Sequence, residues 1–294
     1  MHLTDDVDRG AWLRDRLGAW ATVAGAAGTG FERYARLLHP VGARRLDLTT
    51  TDAWGQHPVA EEAQWPWREL ARRNGKTMHP LVQWQRITDE ERALDFADGW
   101  GAEQSRDGWF DPALMARLTS SLRTHTAEPD DVTIGVWSGW GTPATYGWLV
   151  PEDGDAAAAA VEPVVAAQLR RQERAGGAPA FSPAFLRARE RGPLLHLPGR
   201  DYVLLAAALT ELADPDWGYG AGIGWDPRFD GDPSPQLVWS ADRAWIVATE
   251  IDWDSTIVGG PAALIAEVLA DPAFEAFEVA ADADLSWSGD TINR

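Results

Sequence analysis

The stretch from Leu237 to Asp254 constrains the fold more than any other part of the chain. Leu237-Val238-Trp239 is a short β-prone run, and Ala244 to Trp253 is a longer one. Ser240-Ala241-Asp242-Arg243 between them is turn chemistry of hairpin length. The pattern predicts two antiparallel strands. Side chains alternate faces along a strand. One face of the second strand therefore carries Trp245, Val247, Thr249, Ile251 and Trp253, with Trp245, Ile251 and Trp253 expected to be buried together. The other carries Ala244, Ile246 and Ala248, then Glu250, Asp252 and Asp254. Three aligned carboxylates repel one another unless water, arginine or a cation intervenes. Glu250, Asp252 and Asp254 are thus the candidate catalytic groups, and Asp252 and Asp254 the candidate metal ligands. The plainer reading is a strand end running into water.

At 294 residues the chain can bury a sizeable core, as one large domain or two ordinary ones. It has no cysteine, which excludes disulfides, thiolate metal sites and cysteine nucleophiles. Residues 1–8 lack the basic and apolar regions of a signal peptide, and no apolar run is long enough to span a bilayer. A cytoplasmic protein without membrane association is the expectation. The formal net charge is −19, and residues 201–294 hold 3 basic and 18 acidic side chains. Such a surface repels a phosphate backbone, which argues against nucleic acid, and attracts cations or a basic protein partner. Seventeen tryptophans is several times ordinary usage. Most are expected in the core. Trp54, Trp100, Trp109, Trp217 and Trp225 sit among Gly, Pro and Asp, where contact with a partner is better placed.

The order of elements predicts an α+β fold, with N-terminal helices packed on a largely antiparallel sheet. Helices are expected over Asp5 to Leu17, Phe31 to Leu38 (stopped by His39-Pro40), Trp65 to Arg73 and from Asp111-Pro112 onward. Val132 to Trp137 reads as a strand. Leu194–Leu197 and Tyr202–Ala207 read as a hairpin about Pro198-Gly199. Residues 211–235 read as a long loop, and Phe274 to Val279 as a returning strand. The whole chain, 1–294, reads as a single domain. Residues 151–193, rich in alanine and arginine, read as a variable helical insertion or linker.

Other chemistry is sparse. Asp252-Trp253-Asp254 looks like the Asp-x-Asp element of nucleotide-sugar glycosyltransferases. The same spacing recurs at Asp6/Asp8, Asp153/Asp155, Asp214/Asp216, Asp230/Asp232 and Asp282/Asp284, so only strand context separates this pair from the rest. His39, His79 and His125 could form a scattered zinc site, although no paired-histidine motif is present. Gly259-Gly260 reads as a helix start whose amides could hold an anion. Trp217 and Trp225 in the long loop, with Asp242 and Arg243 at the hairpin tip, are the candidate binding residues.

Three segments, Gly30 to Pro40, Val136 to Gly141 and Trp239 to Gly260, together resemble an uncharacterised family of actinobacterial cytoplasmic proteins. That resemblance implies one integrated fold and no particular reaction. The reading that follows is a non-catalytic cytoplasmic binding protein, immunity- or accessory-like, presenting an acidic, Trp-containing C-terminal face to a basic protein partner. The alternative is a carbohydrate-active or metal-dependent enzyme using Glu250, Asp252 and Asp254. No cofactor is implied beyond a divalent cation that those carboxylates could hold.

Overall fold

The apolar runs pair into two antiparallel sheets in the computed structural model, which describes residues 1–140, 181–225 and 233–293. In chain order the strands are β1 (His2–Thr4), β2 (Arg33–Leu38), β3 (Val41–Leu46), β4 (Val59–Trp65), β5 (Ala93–Asp95), β6 (Trp100–Glu103), β7 (Val132–Trp137), β8 (Leu195–Leu197), β9 (Arg200–Ala207), β10 (Leu237–Ser240), β11 (Ile246–Ala248), β12 (Ser255–Gly260) and β13 (Glu275–Val279). The large sheet has the order β1-β9-β7-β10-β11-β12-β2-β13, with β8 also paired to β9. The small sheet has the order β4-β3-β6-β5. His39-Pro40 carries the chain from β2 in one sheet to β3 in the other.

The large sheet is covered on both faces, so neighbouring residues on its inner strands enter different cores. Val238, Trp245, Val247 and Val258 meet Leu118 and Leu122 of helix Pro112–Thr124 and Leu264, Ile265 and Val268 of helix Ala262–Ala270. Leu237, Trp239, Ile246 and Ile257 meet Leu13, Val23 and Ala27 on the opposite face. A third core lies under the small sheet, where Val41, Ala43, Trp65 and Ala102 meet Trp67, Leu70, Trp84 and Ile87. The α+β expectation therefore holds. Only one face of the large sheet is covered from the N-terminus, and by short helices, Ala11–Arg14 and Val23–Ala27.

Local expectations fared unevenly. The hairpin of β10 and β11 forms in antiparallel register, Val238 opposite Val247. Helix Pro112–Thr124 starts where Asp111 accepts the Ala113 N–H at 2.7 Å. Helix Trp67–Asn74 ends at Gly75, in the left-handed conformation at φ 67°. Phe31 to Leu38, by contrast, is not a helix. Its Arg33–Leu38 part is β2, hydrogen-bonded between β12 and β13, so tertiary pairing overrides the helix preference of Ala, Arg and Leu. The helix expected over Asp5 to Leu17 is reduced to a 3-10 turn, Val7–Gly10, and one short α-turn.

The proposed insertion divides. Residues 141–180, including Arg170, Arg171 and Arg174, lie outside the described residues. The rest is not linker: Phe181 and Phe185, the latter on helix Pro183–Arg191, are buried in the first core. The helix expected after Gly259-Gly260-Pro261 forms as Ala262–Ala270, with Pro261 as its N-cap and Leu264, Ile265 and Val268 buried, but the two glycines themselves lie outside it. They end β12, and the Ala262 N–H is taken by Glu32 at 2.9 Å. A Cβ at Gly259 would come within 3.1 Å of the Phe31 and Tyr34 rings, which explains the glycine by close approach.

Candidate functional site

The three carboxylates singled out in the sequence do not share a strand face. β11 ends at Ala248, and the chain turns so that β12 can return beside it. Glu250 fixes the turn: its carboxylate accepts the Asp252 N–H at 2.8 Å, and its carbonyl accepts the Trp253 N–H at 3.1 Å. The turn cancels the period-two alternation. Trp245 therefore lies in the first core, whereas Trp253 packs, partly buried, against the second. Ile251 is only half-buried.

Each carboxylate is already engaged. Arg200 bridges Glu250 at 3.0 Å and Asp252 at 3.1 Å. Asp254 is buried beneath the turn, with Gln104 donating to it at 3.4 Å and Arg36 3.9 Å away. Burial pushes the Asp254 carboxyl up to about 6; the Arg36 cation opposes this and Asp107 adds to it. Burial likewise raises Asp107, with Arg92 opposing and Asp252 assisting. Among the described residues, no three His, Asp or Glu side chains converge as a metal ion would require.

Beneath the turn lies a buried polar junction that joins the large sheet to residues 80–82 at the third core. Arg36 on β2 is 1% exposed. It donates to Ser255 Oγ at 3.0 Å and to the carbonyls of Pro80 and Val82 at 3.2 and 2.8 Å. Its pKa is lowered to about 10 by burial, against Asp254 and Asp290, so it remains a cation at neutral pH. His39 Nε2 lies 2.8 Å from Thr256 Oγ1, which in turn lies 2.7 Å from Thr249 Oγ1. Burial, reinforced by Arg36, lowers the imidazole to about 3. A base that weak cannot take a proton at neutral pH. Arg36 is masked in the sequence by the helix pattern of Phe31 to Leu38, and His39 stands out only as a candidate zinc ligand, not as a member of this junction. An arginine amid Tyr-Ala-Arg-Leu-Leu was the signal.

The tryptophans sort differently from expectation. Trp217 and Trp225 are 7% and 5% exposed, packed with each other and Trp109 in the first core, so they present no binding face. Asp242 caps its own turn, accepting from Ser240 Oγ, Thr126 Oγ1 and the N–H groups of Ala127 and Ala244. Arg243, at φ 58°, lies 5.8 Å from the Trp12 ring. The histidines have separate partners: His39 faces Thr256, His79 pairs with Asp290 and His125 with Glu267.

Of the five loop tryptophans singled out in the sequence, Trp54 alone is exposed, at 85%; Trp20 and Trp287, also exposed, lie under the guanidinium groups of Arg200 and Arg86. Trp54 sits in the loop of residues 47–58 that joins β3 to β4. The Asp47 N–H closes the base of that loop on the Pro58 carbonyl at 2.9 Å. The Asp47 carboxylate accepts from the Thr49 N–H and from the hydroxyls of Thr49 and Thr50. Those bonds, Thr49 foremost, hold its pKa below the usual carboxylate range. Asp52 accepts the N–H groups of Trp54 and Gln56, both at 2.8 Å, and His57 Nδ1 lies 2.7 Å from the Thr50 carbonyl. Leu48 and Val59, on the two arms, are about half exposed. A loop held by its own hydrogen bonds presents its tryptophan at little further ordering cost, which suits a protein contact.

If the carboxylate turn is a solvated, arginine-tied feature rather than a cation site, Asp252→Asn changes stability by less than about 0.5 kcal/mol. Calcium, magnesium or manganese then leaves the melting temperature of the wild type unchanged. A metal-dependent rise that disappears in the variant would overturn this assignment. No family model, curated protein or solved structure matches the chain, so the reading of its function rests on this geometry.

Proposed function

We propose that the protein is a non-catalytic binding protein, immunity- or accessory-like, that engages a basic protein partner through an acidic surface anchored on Trp54. One observation carries the reading: a nearly fully exposed tryptophan on a loop stiffened by its own carboxylates. Tryptophan, with tyrosine and arginine, is enriched among the residues that dominate interfaces. The net charge of −19 supplies long-range attraction toward a basic partner. The enzyme alternative is less well supported, because Arg200 and Arg36 already take up the carboxylates it would use, and His39 is too weak a base.

The test is affinity capture from a lysate of the source organism, using the wild type and Trp54→Ala as parallel baits. The wild type is expected to retain a basic protein that 0.5 M salt releases, and the variant to lose it. Equal retention by both baits, or retention only of acidic proteins, would count against the proposal.

A further inference from the structure

We infer that the free edge of β4 receives an extended, basic segment of the partner as an added strand, with Trp54 as its apolar anchor. The inference rests on the binding reading and specifies the mode of engagement. β4 lies at one end of the small sheet, and Val59 to Glu62 are exposed. An edge strand offers a row of unpaired N–H and C=O groups, and extended peptides bind by completing that row. Edges are commonly protected by proline, by brevity, by a bulge or by charged side chains, and the glutamates of β4 guard it against other acidic strands rather than basic ones. β4 is seven residues long without proline, and the register irregularity between Arg45 and Leu46 falls at its loop end. The opposite edge, β5, has only three residues.

Charge selects the occupant. Arg45 reaches Glu61 at 2.9 Å. Arg44, directly across from Glu62, turns instead to Glu103 at 3.3 Å, which leaves Glu62 without an ion pair among the described residues. β4 itself carries no basic side chain. A second copy pairing antiparallel about the strand centre would set Glu62 against Glu62, and like charges directly opposite destabilise a ladder. A strand bearing lysine or arginine meets the opposite situation. Beside the edge, the outer face of the small sheet holds a groove of about 280 Å³ floored by Gly42 and Gly101 and walled by Glu62, Gln64, Asp95 and Glu103. Glu62 and Gln64 form the β4 side of that groove, so a long basic side chain on an added strand can reach across β4 to its carboxylates.

The probe is a capped decapeptide alternating lysine and valine, titrated into the full chain with amide hydrogen exchange followed across residues 59–65. Comparators are the glutamate–valine peptide and the lysine–valine peptide methylated on every backbone nitrogen. The lysine–valine peptide is expected to bind in a salt-sensitive manner and to slow exchange over 59–65. Trp54→Ala is expected to weaken it by about tenfold or more. Glu62→Lys, at an exposed site, is expected to weaken it and to admit the glutamate–valine peptide. No binding, or no slowing over 59–65, overturns strand addition, as does equal binding of the methylated peptide. In the last two cases basic-segment binding survives without strand addition. The basic-partner reading fails separately, if the baits described above retain no basic protein.

Discussion

Arg36→Met is expected to cost about 3–5 kcal/mol of stability, since removing one member of a buried charged group strands the others. The guanidinium joins three parts of the chain: Ser255 on β12, the Pro80 and Val82 carbonyls that lead into the third core, and Asp254 in the carboxylate turn. Methionine fills similar volume but donates nothing, so the buried Val82 carbonyl and the partly buried Pro80 carbonyl lose a donor and Asp254 loses a buried cation 3.9 Å away. The Asp254 carboxyl, already raised to about 6, should then rise further. Adding Asp254→Asn to Arg36→Met should therefore recover part of the loss. Urea unfolding of the two single variants and the double variant at pH 7 measures this. A loss below about 1 kcal/mol for Arg36→Met would show that the junction does not hold the large sheet to the third core.

Acid should expose the two buried titrating groups with opposite signs. His39 titrates at about 3 in the fold and ordinarily near 6.5. Its contribution is complete above pH 6.5 and is lost as pH falls toward 3, because the unfolded chain takes up the proton first. Asp254 titrates at about 6 in the fold against an ordinary 3.8. Its contribution is complete below 3.8 and is lost as pH rises through 6. Each group changes stability by about 1.4 kcal/mol per pH unit within its window. His39→Gln keeps a polar partner for Thr256 and cannot ionise, so its stability should fall less steeply than the wild type between pH 6 and 4. Asp254→Asn removes the opposing group, so its stability should fall more steeply over the same range. Parallel curves for the wild type and both variants would contradict these assignments.

Much of the fold was legible where local chemistry and long-range pairing agree. The β10–β11 hairpin, β7, β8–β9, β13 and helix Pro112–Thr124 follow from alternation, turn residues and capping. Where they disagree, pairing wins. Arg33–Leu38 has helix-favouring residues but is flanked by β12 and β13 on both sides, and nothing local announces two neighbours more than 200 residues away. The carboxylate turn failed for a related reason. Alternation was extended past Ala248, although Glu-Ile-Asp-Trp-Asp is rich in residues that turn the chain when a partner strand must return. The Gly- and Pro-rich context of Trp217 and Trp225 suggests exposure, whereas their rings close the first core, because a loop can fold its aromatic residues inward. Trp54 was visible among the loop tryptophans, but its isolation from the core depends on hydrogen bonds of Asp47 and Asp52 that only the folded loop displays.

The most direct measurement is hydrogen exchange across the whole chain, with and without the basic protein retained by the wild-type bait. Slowing concentrated in residues 47–65 is the expected result. Slowing across residues 249–254, with residues 47–65 unchanged, would contradict the account and return the site to the carboxylate turn.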